Sequence, residues 1–166
     1  MSYATPADLI ARFEADLVAQ RAAPEGLRVT GDMLKAGIAG ELGDYNAEEV
    51  AAIDAAIARI EEALSDATEF VNTHVSDLYA VPLSPLPLMI VRNTCSIARF
   101  YLWGDAAAKD GVEERDYKIA EKTLQAVRDG KLALGSATAP APAAEHVSGE
   151  VFGPARLFTR DSMKGL

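Results

Sequence analysis

One stretch of this chain limits its possible folds more than any other. Apolar residues recur at Val50, Ile53, Ile57, Ile60, Leu64, Ala67, Val71, Val75 and Leu78. The steps alternate three and four residues, with one four-four step near the end. That is the period of a helix burying a narrow stripe, and no strand produces it. A helix over about residues 46–80 follows. Its start is marked by Asn46, whose side chain can accept from a first-turn amide, and by Glu49, which can bond back to the Asn46 amide. Glu48 and Glu49 also stand where the helix dipole favours negative charge. Pro82 disfavours helical geometry at Val81 and removes a donor, so the helix stops before it. Such a helix is roughly 50 Å long at 1.5 Å per residue, more than a compact domain of this size readily encloses. Part of it is therefore expected to lie against something other than its own core.

The rest of the chain arranges itself around that helix. Thr5-Pro6-Ala7-Asp8 reads as cap, first helical position and acidic first turn, opening a helix over residues 5–20 with Leu9, Ile10, Phe13 and Leu17 on one face. Pro24 and Gly26 mark a loop. Thr30 caps a short helix over residues 30–39 that buries Met33, Leu34 and Ile38 and is weakened by Gly37 and Gly40, with irregular chain up to Asp44. After the long helix, three prolines between Val81 and Pro87 predict a stiff extended connector, and Pro87 opens a helix over residues 87–108. This is the most hydrophobic helix: Leu88, Val91, Cys95, Ala98 and Leu102 form its stripe, and Met89, Ile90, Ile97 and Tyr101 widen it. A helix apolar around so much of its circumference is central. Its polar face carries Arg92, Asn93, Ser96 and Arg99. A last helix over residues 113–129 buries Tyr117, Ala120, Leu124 and Val127 and ends at Gly130.

Charge narrows the function. The chain carries a net charge of −9, and the surplus sits in residues 1–135, with 13 Lys+Arg against 22 Asp+Glu; residues 136–166 hold 3 against 3. An acidic body is repelled by phosphate backbones, which excludes nucleic-acid binding as its main task. The single cysteine, Cys95, excludes an internal disulfide and suits a reducing compartment. The opening residues show neither a basic leader nor an apolar core, so no secretory signal is expected, and no uncharged run is long enough to span a bilayer.

Candidate chemistry is sparse. His74 and Asp77 stand three apart on the long helix, which can place two ligands on one metal, but no third accompanies them and His74 reads as a flanking residue. His146 falls in a linker. Cys95 lies on an apolar stripe and reads as a small core residue without a base partner. Gly37-Ile-Ala-Gly40 follows no strand and matches no phosphate cradle. Trp103-Gly104-Asp105 reads as a packed helix terminus. No catalytic, cofactor or metal residues are assigned. The acidic residues of the long helix, Glu61, Glu62, Asp66 and Glu69 among them, form either a solvated face or a docking face, and Arg92 and Arg99 are candidates to pair with them within the fold or across subunits.

From Ser136 the composition changes to alternating alanine and proline, an extended linker. Val151, Phe152, Leu157, Phe158, Met163 and Leu166 then regain apolar anchors, interleaved with Arg156, Arg160 and Lys164. Too short to make a core, this segment reads as a binding arm that folds on a partner. Two units result: a helical body over residues 1–135, and a linker with a C-terminal arm over residues 136–166.

Several motifs taken together resemble one family. They are Met1-Ser-Tyr-Ala-Thr-Pro-Ala-Asp-Leu-Ile-Ala-Arg-Phe13, Tyr79-Ala-Val-Pro-Leu83, Ile97-Ala-Arg-Phe-Tyr-Leu-Trp-Gly-Asp105, Gly130-Lys-Leu-Ala-Leu-Gly135 and the terminal Phe158-Thr-Arg-Asp-Ser-Met-Lys-Gly-Leu166. In order and spacing they are similar to the small helical head–tail proteins of Mu-like and related long-tailed phages, prophages and gene-transfer agents. The resemblance implies a non-enzymatic adaptor without cofactors, located in the neck of a virion or phage-like particle and in the host cytoplasm during assembly. It implies a closed ring of roughly twelve copies beneath the portal protein. DNA would pass through the lumen without specific binding, and a tail-side stopper or terminator protein would lie below. In such adaptors a C-terminal arm reaches the portal or a neighbouring subunit; here that role falls to Val151, Phe152, Arg156, Leu157, Phe158, Arg160, Met163 and Lys164. Glu61, Glu62, Asp66, Glu69, Arg92 and Arg99 are the candidate subunit-contact or lumen face.

The expected molecule is thus all-α, a small helical bundle built on one long and one buried central helix, with an extended arm. Its expected role is a head–tail connector. A soluble helical regulator that captures a partner through the same arm is the alternative.

Overall fold

The structure, a computed structural model, describes residues 2–135. Within them the chain forms six α-helices and one 3-10 turn: α1 Pro6–Arg12, α2 Ala15–Ala22, α3 Gly31–Ala39, α4 Ala47–Val75, α5 Leu88–Trp103, the turn Gly104–Ala106, and α6 Val112–Arg128. The all-α expectation holds for the body. The linker and arm, residues 136–166, lie outside the described residues.

The long helix forms because its local signals agree with its packing. Asn46 Oδ1 accepts from the amides of Glu48 and Glu49, and Glu49 accepts from the Asn46 amide. Ile53, Ile60, Leu64, Ala67, Val71 and Val75 are each at most 1% exposed. Fully burying one of the larger side chains contributes roughly 1.5–3 kcal/mol before entropy is charged. α4 ends at Val75, however, and not near residue 80, which makes it about 43 Å long. Pro82 constrains only the residue before it. Beyond Val75 the chain closes in a turn at residues 76–78, where the Leu78 and Tyr79 amides both donate to the Val75 carbonyl, and the Tyr79 hydroxyl accepts from the Leu134 amide. Leu78, the last expected stripe residue, is consequently exposed.

The expected helix over residues 5–20 is two helices. Phe13 is extended, at φ −117° and ψ 152°, and separates α1 from α2. At the break the Phe13 ring lies against the Arg99 guanidinium, 4.6 Å from the ring centroid, and α1 and α2 both pack on α5. Thr5 and Thr30 cap α1 and α3 as expected.

α5 is central: it packs on α4, α6, α1 and α2. Its buried arc is Ile90, Thr94, Cys95, Ile97, Ala98, Leu102 and Trp103, which is rotated from the expected stripe. Leu88 falls outside it and is 70% exposed. The helix stops at Trp103, short of residue 108, because Gly104 adopts φ +48° and starts the 3-10 turn. The connector before it bends more than an extended rod, with cis peptides at Val81-Pro82 and Ser84-Pro85.

Two features tie distant segments together. Tyr3 is buried; its hydroxyl donates to Asn72 Oδ1 at 2.6 Å and accepts from the Leu83 amide at 3.0 Å, joining the N-terminal segment, α4 and the connector. Thr68, a buried polar residue in the α4 stripe, accepts from the Tyr3 amide and donates to the Leu64 carbonyl. Gly37, expected to weaken α3, is where α3 crosses α4. A Cβ there would collide with Ile53 Cγ2 and stand 2.9 Å from Ile57 Cδ1.

Candidate functional site

The charged residues singled out from the sequence separate into two groups. Glu61, Glu62, Asp66 and Glu69 are exposed on the outer face of α4, opposite its buried stripe. Asp66 and Glu62 border a small cleft with Arg59 and Tyr101. The Tyr101 hydroxyl is pushed up to about 12, first by burial, then by Tyr117, Asp66 and Glu121. Behind Tyr101, Phe100 stacks on Tyr117, with ring centroids 4.5 Å apart.

Arg99 is not part of any outer face, and this corrects its assignment. Its side chain is only 12% exposed and bonds Glu113 at 2.6 Å and Asp116 at 3.5 Å, both on α6. The guanidinium also lies over the Phe13 and Trp103 rings. A planar, permanently charged fork that both pairs and stacks suits this position. Arg99 thereby locks α5 to α6 and to the break between α1 and α2. Its partners are α6 carboxylates, not those of α4.

Arg92, two turns earlier on α5, is exposed and lines a groove of about 530 Å³ between the end of α1, α5 and α6. Met89, Ala120 and Phe13 contribute apolar floor, and Leu88 and Ile119 form its edges. These two edges are the most exposed large apolar residues described, at 70% and 56%. Arg12 and Arg92 supply positive charge, while Asp116 is engaged by Arg99. Asn93 Nδ2, on the same wall, is shielded and has no acceptor among the described residues. Most of this groove escaped the sequence reading. Its signal was Ile119, an apolar residue off the stripe of Tyr117, Ala120, Leu124 and Val127, and Leu88, placed on the wrong face.

The remaining candidates are structural. His74 Nδ1 sits 2.9 Å from the Phe70 carbonyl and its ring packs on Phe70, while Asp77 is exposed beyond the helix end. Among the described residues no group of three or more His, Cys, Asp or Glu is arranged to hold a metal. Cys95 is fully buried, and burial pushes its thiol up to about 11, so it is a poor nucleophile at neutral pH. Trp103 is a packed helix end, as expected. Among the described residues no helix is long and apolar enough to cross a membrane. His146 and the arm residues Val151, Phe152, Arg156, Leu157, Phe158, Arg160, Met163 and Lys164 lie outside the described residues.

Comparison with known proteins gives a consistent result. The family model described as bacteriophage Mu, Gp36 matches residues 3–152, which includes all six helices, the linker and the first two anchors of the arm. The chain is similar to the Mu-like prophage FluMu protein gp36 of Haemophilus influenzae, 31% identical over 78 residues, 47% of this chain and 54% of the relative. It is similar also to gene product J of Escherichia phage Mu, 33% identical over 87 residues, 51% of this chain and 60% of the relative. The matches thus span little more than half the length of these curated relatives.

Proposed function

The chain belongs to the bacteriophage Mu Gp36 family, and from that membership we propose that it is a structural subunit of a tailed phage, prophage or gene-transfer-agent particle. Its place would be in the neck, as a head–tail connector that forms a ring beneath the portal. The observation that carries this reading is the family match across nearly the entire chain. Physical features of the body support it. A rigid helical scaffold with one closed core presents two unlike outer faces, one acidic and one apolar with a basic edge, and a closed ring needs two different contact surfaces per subunit.

In this reading the arm grips the portal or an adjacent subunit through Phe152, Leu157 and Phe158, with Arg156 and Arg160 as polar anchors. Aromatic and arginine side chains are the ones most able to concentrate binding energy. The test is deletion of residues 136–166 in the producing strain, with two readouts: co-purification of the chain with portal protein, and infectivity of the particles. Loss of both is expected. Full infectivity of the deleted strain refutes the role of the arm. Normal particles assembled in the complete absence of the chain would instead favour a soluble helical regulator.

A further inference from the structure

The groove and the outer face of α4 complement each other, and we infer that they meet between two copies of the chain, the groove of one receiving α4 of the next. This rests on the reading of the chain as a repeating subunit, and it names the surfaces through which the repeat is made.

Charge is the first reason. Arg12 and Arg92 at the groove, and Glu61, Glu62, Asp66 and Glu69 on α4, form no ion pair among the described residues. Every one of them is exposed. A groove edged by two unpaired arginines fits a carboxylate-rich partner, and the protein carries one.

Shape is the second. The outermost ridge of α4 is Ala51, Ala55, Ala58, Glu62, Ser65 and Glu69, all exposed. Its first turns are alanine, which lets another surface approach the backbone closely, and its later turns are acidic. Leu88 and Ile119 project from the groove edges as apolar knobs, one end of the contact, while Arg92 supplies the charged end. Knobs against alanines and arginine against glutamate can be satisfied by one helix laid along the groove.

Topology is the third. α4 turns its buried stripe into the core and its ridge outward, and where that ridge comes nearest α5, at Glu62, it borders the Tyr101 side of that helix. The groove opens on the other side of α5, towards α1 and α6. The two faces therefore cannot meet within one chain. Residues 151–166 are a poorer occupant, because Arg156, Arg160 and Lys164 against Asp161 give them the same sign as the groove edge. A contact between unlike faces propagates from copy to copy instead of stopping at a pair.

The experiment uses the full-length chain and sedimentation equilibrium at low and high salt. Wild type is expected to associate beyond dimers, more weakly as salt rises. Arg12→Glu with Arg92→Glu, and separately Glu62→Arg with Glu69→Arg, should each weaken association by on the order of tenfold or more. Combining all four reversals should restore it, which a folding defect would not do. A second variant pair fixes the geometry: Leu88→Cys with Ala58→Cys should crosslink into a ladder under oxidation, whereas Leu88→Cys alone should not. The inference is overturned by a chain that stays monomeric to roughly 1 mM, by association indifferent to the reversals, or by Leu88→Cys alone forming crosslinked dimers. Intact self-association in a strain whose particles do not need the chain would count against the connector reading alone.

Discussion

Gly37→Ala separates two ways of valuing a residue, and they differ in sign. By intrinsic preference, alanine in a helix interior is better than glycine by about 1 kcal/mol. Residue 37 lies inside α3, so preference alone predicts a more stable protein. The tertiary contact predicts the opposite. A Cβ at position 37 would overlap Ile53 Cγ2 and approach Ile57 Cδ1 at 2.9 Å, when carbon atoms rest at about 3.5–4.0 Å. Ile53 is fully buried, so it has no space into which to move, and over-packing a tight core costs about 1–3 kcal/mol, occasionally more. The two terms sum to a net loss of up to about 2 kcal/mol if the collision is at the upper end. For a body of this size each kcal/mol lowers Tm by about 3 °C, so a fall of up to about 6 °C is expected in thermal melts followed by circular dichroism. Urea titration should show a lower midpoint with an unchanged slope. Adding Ile53→Leu, which removes the offending branch, should recover part of the loss beyond simple additivity. A rise in Tm for Gly37→Ala would refute the close crossing of α3 over α4.

Two further substitutions probe the ties between distant segments. Tyr3→Phe removes the bond to Asn72 and leaves the buried Leu83 amide unpaired, so it should cost about 1–3 kcal/mol in urea unfolding, while Phe13→Tyr, on a half-buried ring, should cost less. Arg99→Lys keeps the charge but loses the two-pronged contact with Glu113 and Asp116 and the stacking on Phe13 and Trp103; a loss of about 1–2 kcal/mol in the same assay is expected, and an unchanged midpoint would show that the lock contributes nothing.

The sequence by itself determined the helical class, the placement of α3 to α6 and the side-chain caps of α1, α3 and α4. Asn46 with Glu49, Thr5 with Asp8, Thr30 and Gly130 act on backbone groups within a turn of themselves, so their effect is written in adjacent letters. The α4 stripe was legible for a related reason: a helix that must bury one face repeats its requirement every turn, and the repetition survives single exceptions. The arm stood out in composition, as apolar and basic residues beyond an alanine-proline linker.

Only the tertiary structure decided where a local preference yields to a remote contact. The break at Phe13 comes where its ring meets Arg99, and the turn beyond Val75 brings the Tyr79 hydroxyl to the Leu134 amide. Thr68 is tolerated inside an apolar stripe because the Tyr3 amide and Ser2 arrive beside it from the far end of the chain. Arg99 belongs to α6 and Arg92 to the surface, although both share one helical face in sequence. Each of these outcomes joins residues separated by tens of positions, and no periodicity records such a pairing. A helix fixes which residues share a face, but the neighbour that covers the face is fixed only when the whole core closes.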